Sequence, residues 1–415
     1  MAIKVLSVCT SDTSGGAARA AYRIHNAVRD SGIDSMMFVK HKGTDDTEVL
    51  CVEDFVPHSA LYKGFDWVRN KFKNKWQHYQ WGKYPDRSPY YMSDLRSLDI
   101  GGALRKIDYD LLHLHWINQR FLPLERLPKD KPIVWTLHDS WPFCGICHLP
   151  MGCRGFQQAC GSCPALGSDD PHDLSHSIWK KKAKTYNKLN LHIVAPSRWM
   201  ANRVRSSSLF QGVENCVIPN CIDTDLFCPG DRDEACVRMH LDPQRKHILF
   251  GAMHAIEDPN KGFRYLQEAI RHLPEDTVHS TDLVLFGSAQ KLGEEVSGMK
   301  VFNLGLIQDD RKLVETYRAT DVTIVPSLSE NLSCTIMENL ACGTPAVAFN
   351  IGGNGDMIIH RSNGYLAREK DATDLAEGLT RALNNEFTST RDIVLERFTP
   401  NIVSAQYANL YQQLV

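Results

Sequence analysis

Short runs of β-branched and aliphatic residues alternate with amphipathic stretches along the chain. Ile3–Cys9 reads as a buried strand. Gly15-Gly16 leads into a stretch where Ala17, Ala20, Ala21, Ile24, Ala27 and Val28 keep i, i+3, i+4 spacing, which predicts a helix that Gly32 ends. Leu111–His115, Ile133–His138 and His192–Ser197 continue the series as strands. A second series opens at His247–Met253. Its helix after Gly262 carries Phe263, Leu266, Ala269 and Ile270, and Leu283–Gly287, Val301–Leu304, Val322–Pro326 and Ala346–Phe349 follow as strands. Phe398–Val415, with Ile402, Ala405, Gln406, Leu410 and Leu414, predicts a terminal helix. Strands alternating with helices mean parallel sheets covered by helices, so the expected fold class is α/β with two doubly wound halves. Val217–Gly230 is rich in turn formers and is where the linker is expected. The expected organisation is residues 1–222, including a cysteine-rich loop at 144–163, then residues 223–397, then a helix over 398–415 packing back on the first half.

Composition narrows the classes. Apolar content of 43%, charged content of 23% and a net charge of -2 describe an ordinary globular protein with no global pull toward nucleic acid. No apolar run approaches the ~20 residues that span a bilayer. Met1–Thr10 is too short and polar for an export signal, and a cytoplasmic location is expected. In that compartment the thirteen cysteines are thiols or metal ligands. Five of them form Cys144-x2-Cys147-x5-Cys153-x6-Cys160-x2-Cys163, among Gly145, Gly152, Gly155 and Gly161. Two short-spaced ends around a glycine-rich loop look like a small structural zinc knuckle, with five cysteines competing for four positions. The plainer reading is a loop of unligated thiols. Tyr62–Tyr84 carries Lys63, Arg69, Lys71, Lys73, Lys75 and Lys83 against Asp66, interleaved with Phe65, Trp67, Phe72, Trp76 and Trp81. That composition suits an anionic membrane surface, and equally a solvated helix with its aromatics in the core.

The richest chemistry lies in Pro326–Pro345. Glu330 and Glu338 straddle the point where a buried strand gives way to a helix, and Gly343-Thr344-Pro345 ends that helix. A loop-to-helix junction after a parallel strand is an anion site. With the helix starting near Ser333 or Cys334, the amides of Asn331, Leu332 and Ser333 point at the anion, helped by roughly half a positive charge at the helix end. Ile336 and Leu340 face the core, and Glu338, about 200° around from both, is expected to face away. Carboxylates so placed accept hydroxyls of a sugar or ribose, which suggests a sugar nucleotide. His138 stands at a strand's C-terminal end, where ligands gather in open α/β sheets. His113 and His115 share one strand face and read as structural.

Gly15-Gly16-Ala17, Thr136-Leu137-His138-Asp139, Ala195-Pro196-Ser197, Val217-Ile218-Pro219-Asn220, Lys261-Gly262, Glu330-x7-Glu338, Gly343-Thr344-Pro345 and Gly352-Gly353 follow one another across nearly the whole chain. No one of these motifs is specific. The ordered set resembles the family 4 glycosyltransferases, whose GT-B fold has two Rossmann-like domains facing across a cleft. His113-Leu114-His115-Trp116 and His138-Asp139-Ser140-Trp141-Pro142 are similar to strings in bacterial enzymes that build surface polysaccharides. The resemblance implies a first, acceptor domain and a second, donor domain. It implies retaining transfer from a UDP- or GDP-sugar to a hydroxyl of a glycan or lipid-linked acceptor, at the inner face of the cell membrane, with no catalytic metal and no nucleic-acid partner. It assigns Glu330 to donor-sugar hydroxyls, Glu338 to the ribose and Lys261 to the diphosphate, whose charge grows as it leaves. It places His138 beside the transferred sugar, has Asp139 orient the acceptor, and brings the Gly15 and Gly16 backbone close to the donor. Among the cysteines it selects Cys147, Cys153, Cys160 and Cys163 as the zinc ligands. One departure stands out: Gly251 is followed by Ala252, where many members have arginine, so a second cation has to come from His254 or Arg264 or is absent. Rival readings are a sugar-nucleotide epimerase or phosphorylase of the same architecture, and a non-catalytic scaffold subunit.

Overall fold

The computed structural model describes residues 3–55, 71, 75, 79–88, 101–288 and 293–415. The chain forms two compact units, one of Met1–Ile218 with Ser404–Val415 and one of Pro219–Val403.

The first unit is built on β1 (Lys4–Ser11), β2 (Asp34–His41), β3 (Val49–Cys51), β4 (Leu111–Leu114), β5 (Pro132–Thr136), β6 (Asn190–Ala195) and β7 (Asn215–Val217). Their order is β3-β2-β1-β4-β5-β6-β7, and every pairing is parallel. The second unit holds β8 (Lys246–Gly251), β9 (Thr281–Phe286), β10 (Glu295–Val296), β11 (Met299–Asn303), β12 (Val322–Val325), β13 (Ala346–Phe349) and β14 (Gly364–Ala367). Their order is β10-β11-β9-β8-β12-β13-β14, parallel except for the β10–β11 pair.

Helices cover both faces, so β4, β9, β12 and β13 are buried at every position. On β1, Leu6 and Val8 join one core with Trp135, while Cys9 joins another with Ala18 and Ala21 of the helix Gly16–Asp30. The parallel strands of each sheet reverse their order once, between β1 and β4 and between β8 and β12. Ligands of open α/β sheets bind in the crevice outside the strand C-termini at such a reversal.

The strands expected from apolar runs all form, and the departures have physical causes. β2 begins with Asp34-Ser35 and ends with Lys40-His41, so its buried centre is short. β14 starts at Gly364, where a Cβ would sit 2.3 Å from the Ala346 carbonyl oxygen. Glycine marks close strand approach there, not a break. The terminal helix forms as expected, over Pro400–Leu414. Ala405 and Gln406 are exposed, and Val403, Tyr407 and Tyr411 are fully buried at i, i+4 spacing. Among the described residues no helix is long and apolar enough to cross a membrane.

Candidate functional site

In the second unit β12 ends at Val325, and the loop 326–333 runs into the helix Cys334–Ala341. Ser333 caps that helix, its hydroxyl accepting from the Ile336 N–H at 3.4 Å. From β8 the chain returns through a turn, Pro259–Lys261, to Gly262 and the helix Phe263–Arg271. Lys261 Nζ donates to Glu330 Oε1 at 2.8 Å, with side-chain exposures of 23% and 16%. Burial works to lower the Lys261 pKa, but the Glu330 carboxylate overrides this and holds it above the ordinary lysine value.

Two glycines let other segments press on the Glu330 loop. A Cβ on Gly262 (φ 74°) would lie 1.9 Å from the Pro326 carbonyl oxygen. One on Gly352 (φ 56°) would lie 1.7 Å from the Glu330 carbonyl oxygen. Both positions need the left-handed backbone as well as the missing side chain. Asn260, which no motif singled out, completes the clamp: its Nδ2 donates to the Ser329 carbonyl at 3.0 Å, and its own carbonyl accepts from the Leu328 N–H at 2.8 Å. An asparagine just before Lys-Gly was the available signal.

Glu338 does not face away. It is 3% exposed, and Tyr317 OH donates to its Oε2 at 2.9 Å. The helix packs against Asp310–Arg318 and Asp392–Arg397 as well as the sheet, so Ile336 through Ala341 are all buried. A helix covered on several sides has no solvent face for the wheel to find. Leu332 and Ser333 are buried, at 6% exposure each. At Gly251 a Cβ would meet the Phe286 ring at 1.8 Å, so glycine there makes room for an aromatic. Arg264 is turned to Tyr265, donating to its hydroxyl at 2.7 Å and lying 4.6 Å from its ring centroid. His254 is exposed, with its N–H on the Gly287 carbonyl at 2.8 Å. Of Lys261, Arg264 and His254, Lys261 is the one shown bonded to the Glu330 loop.

In the first unit Gly15 (φ 90°) turns the chain into the helix Gly16–Asp30. The buried Asp12 secures the turn by accepting from Gly43 N–H at 2.8 Å, Thr44 N–H at 3.0 Å and Thr44 Oγ1 at 2.8 Å. His138 follows the end of β5, with its Nε2 3.0 Å from His115 Nδ1. Asp139 is a hub. It accepts from Trp116 Nε1 at 2.7 Å and Trp141 N–H at 2.9 Å, and its Oδ2 also pairs with His148 Nδ1. Burial alone would raise its pKa, but His148 and these donors hold it below the usual carboxylate value. Its carboxylate joins the ends of β4 and β5 to the cysteine loop.

The zinc site expected on Cys147, Cys153, Cys160 and Cys163 is not found. Among the described residues no group of three or more His, Cys, Asp or Glu side chains could hold a metal ion. The thiols are engaged with each other or with backbone amides instead. Cys147 and Cys163 share a hydrogen bond. The Gly145 N–H donates to Cys160 Sγ and the Gly155 N–H to Cys153 Sγ, both at 3.3 Å. Spacing brings four thiols into one loop but leaves the direction of each open. The loop is stapled from beneath by the buried Lys182, whose ammonium donates to the Trp141 and Cys144 carbonyls and lies 3.8 Å from the Trp141 ring centroid. Most of the basic, aromatic segment 62–84 lies outside the described residues. At its described end Trp81 and Tyr84 pack on the first unit's core.

A family description of glycosyl transferases group 1 matches residues 244–397, and one of glycosyltransferase family 4 matches residues 14–226. The chain is 25% identical over 284 residues to the putative colanic acid biosynthesis glycosyl transferase WcaC of Escherichia coli (strain K12), covering 65% of this chain and 66% of that one. It is 27% identical over 296 residues to the D-inositol 3-phosphate glycosyltransferase of Rhodococcus jostii (strain RHA1), covering 65% and 58%. The matches thus span less than two thirds of either relative's length. The structure of Anabaena Alr3699/HepE in complex with UDP and glucose has the same fold, with a TM-score of 0.63 at 18% identity over 99% of this chain and 100% of that one. Two doubly wound units, with family matches that run from residue 14 to residue 397, make this chain a member of glycosyltransferase family 4.

Proposed function

We propose that the protein moves a sugar from a nucleoside-diphosphate donor to a hydroxyl of a glycan or lipid-linked acceptor, with retention at the anomeric carbon, in surface-polysaccharide synthesis. The observation that carries this is the Lys261–Glu330 pair at the β8/β12 reversal, beside a helix N-terminus capped by Ser333. Lys261 and the amides of Asn331, Leu332 and Ser333 stabilise the departing diphosphate, whose charge rises in the transition state. Glu330 takes hydroxyls of the donor sugar. Glu338, oriented by Tyr317, takes the ribose hydroxyls. The family resemblance assigns the Gly15-Gly16 backbone to the donor and His138 to the transferred sugar. The donor phosphate receives the acceptor's proton, so catalysis is positioning plus charge stabilisation. The UDP and glucose in the Anabaena structure support a nucleotide-sugar donor, and the name of the E. coli relative supports a polysaccharide product.

A thermal-shift panel of UDP-, GDP-, ADP- and TDP-sugars tests the donor. One present at 100 times its Kd stabilises by about 2.7 kcal/mol. Release of the free nucleotide should then depend on acceptor. Transfer that survives both Lys261→Ala and Glu330→Ala would refute the site.

A further inference from the structure

The first unit contains a row of imidazoles, His113, His115 and His138, of which the proposed chemistry leaves the first two unused. We infer that His115 is a positioning residue that holds His138 as its Nδ1–H tautomer, with Nε2 turned inward as an acceptor.

The row is anchored at its far end. His113 is fully buried, and both its nitrogens are engaged: Nδ1 with Tyr411 OH at 2.7 Å and Nε2 with Thr136 Oγ1 at 2.8 Å. Thr136 Oγ1 in turn meets Tyr407 OH at 2.8 Å. Two tyrosines of the terminal helix therefore fix the His113 ring from both sides. The His115 ring lies against it, with centroids 4.1 Å apart. Its backbone is held too, the N–H donating to the Val8 carbonyl at 2.9 Å and the carbonyl accepting from Trp135 Nε1 at 3.0 Å. His115 has one freedom left, the placement of its proton.

The contact between His115 Nδ1 and His138 Nε2, at 3.0 Å, needs one proton between two nitrogens. His115 Nε2 is buried with no hydrogen-bond partner among the described residues. Suppose His138 donated through Nε2. His115 would then accept on Nδ1 and carry its own proton on Nε2, a buried N–H with nothing to receive it. Suppose instead that His115 donates through Nδ1. The orphaned atom is then a bare lone pair, and orphaned buried N–H groups are the rarer of the two. The second arrangement wins, and a neutral His138 must then carry its proton on Nδ1.

Charge does not upset this count. Burial pushes His138 down to about 4 and His113 to about 3, and it lowers His115 as well. The acid beside His138, Asp139, is committed to Trp116, Trp141 and His148. It follows that His138 has no Nε2 lone pair to spare for a substrate proton. Through Nδ1 it can bond only as a donor. This rests on the proposed function only for what His138 touches; the tautomer itself does not.

Long-range 1H–15N spectra of the full chain, labelled with 15N-histidine, read the tautomer near neutral pH, with the His138 signals assigned by their loss in His138→Gln. The expected result is Nδ1–H in the wild type, Nε2–H or a mixture in His115→Phe, and Nδ1–H again in His115→Asn, whose amide places an N–H near the imidazole Nδ1. In parallel, His115→Phe should lower kcat by about ten- to a hundredfold with little change in donor KM, and His115→Asn should recover most of it. An Nε2–H His138 in the wild type overturns the inference by itself, even if His115→Phe fails to fold. A tautomer unmoved in a folded His115→Phe overturns it too. If the tautomers are as expected but His138→Gln leaves transfer intact, the positioning stands and the proposed site falls.

Discussion

Glu330→Gln should make the protein bind a bare nucleoside diphosphate more tightly while nearly abolishing sugar transfer. Lys261 is held by Glu330 at 2.8 Å. A diphosphate has to draw that ammonium away. With side chains 23% and 16% exposed, the pair is too covered for a surface ion pair, worth under about 1 kcal/mol, and too wet for a fully buried one, where losing a partner costs about 3–5 kcal/mol. A net value of about 1–2 kcal/mol is reasonable for a charge-assisted hydrogen bond in this setting. Glutamine keeps the shape and removes the charge, so this competition disappears. UDP or GDP, which lack the sugar that Glu330 would contact, should gain about 5- to 30-fold in affinity. Transfer from the sugar nucleotide should fall by about a hundredfold or more. Calorimetric titration of wild type, Glu330→Gln and Lys261→Met with both nucleotides, at one ionic strength, reads the effect. Lys261→Met should weaken binding. If Glu330→Gln binds the preferred nucleotide no more tightly than wild type does, the pair is not a latch on the donor site.

Gly352→Ala should cost at least about 2 kcal/mol and weaken nucleotide binding, because a left-handed alanine is strained and its Cβ would sit 1.7 Å from the Glu330 carbonyl oxygen; an unchanged urea midpoint would contradict the clamp. Tyr411→Phe leaves His113 Nδ1 buried without its 2.7 Å partner and should cost about 1–3 kcal/mol, read as a lower Tm. Stability should fall on acidification. His25 is held at about 4 and His113 at about 3 by burial, and both are fully buried. Between the ordinary histidine value of about 6.5 and these values the unfolded chain binds more protons than the native one, so stability rises with pH. Each of the two contributes about 1.4 kcal/mol per pH unit over that window. Urea midpoints that stay flat from about pH 6.5 to 4 would show that these rings already take protons in the native state.

Particular elements show what could be read before the fold was seen. The central strands were legible because a strand buried on both faces is a continuous apolar run, whatever lies beyond it. The helix start at Ser333 was legible because a capping hydroxyl acts within its own first turn. The Lys261-Gly262 and Gly352-Gly353 motifs were visible as strings, but their reason was not: each glycine is required by a carbonyl of another segment pressed against it. Glu338 was expected to face away from the core because its angular position reflects the helix alone and not the several neighbours that cover it. The terminal helix was legible but its buried stripe was not, because that stripe is built on Tyr407 and Tyr411, whose hydroxyls find Thr136 and His113 far away in sequence. For the cysteines, spacing predicted proximity but could not predict the direction of each thiol. The sequence by itself determined the elements, the fold class and the identity of the charged groups, since these follow from interactions within a few residues. Only the tertiary structure decided which of those groups meet, which are already satisfied and which proton sits where, because each depends on partners that the chain supplies from a distance.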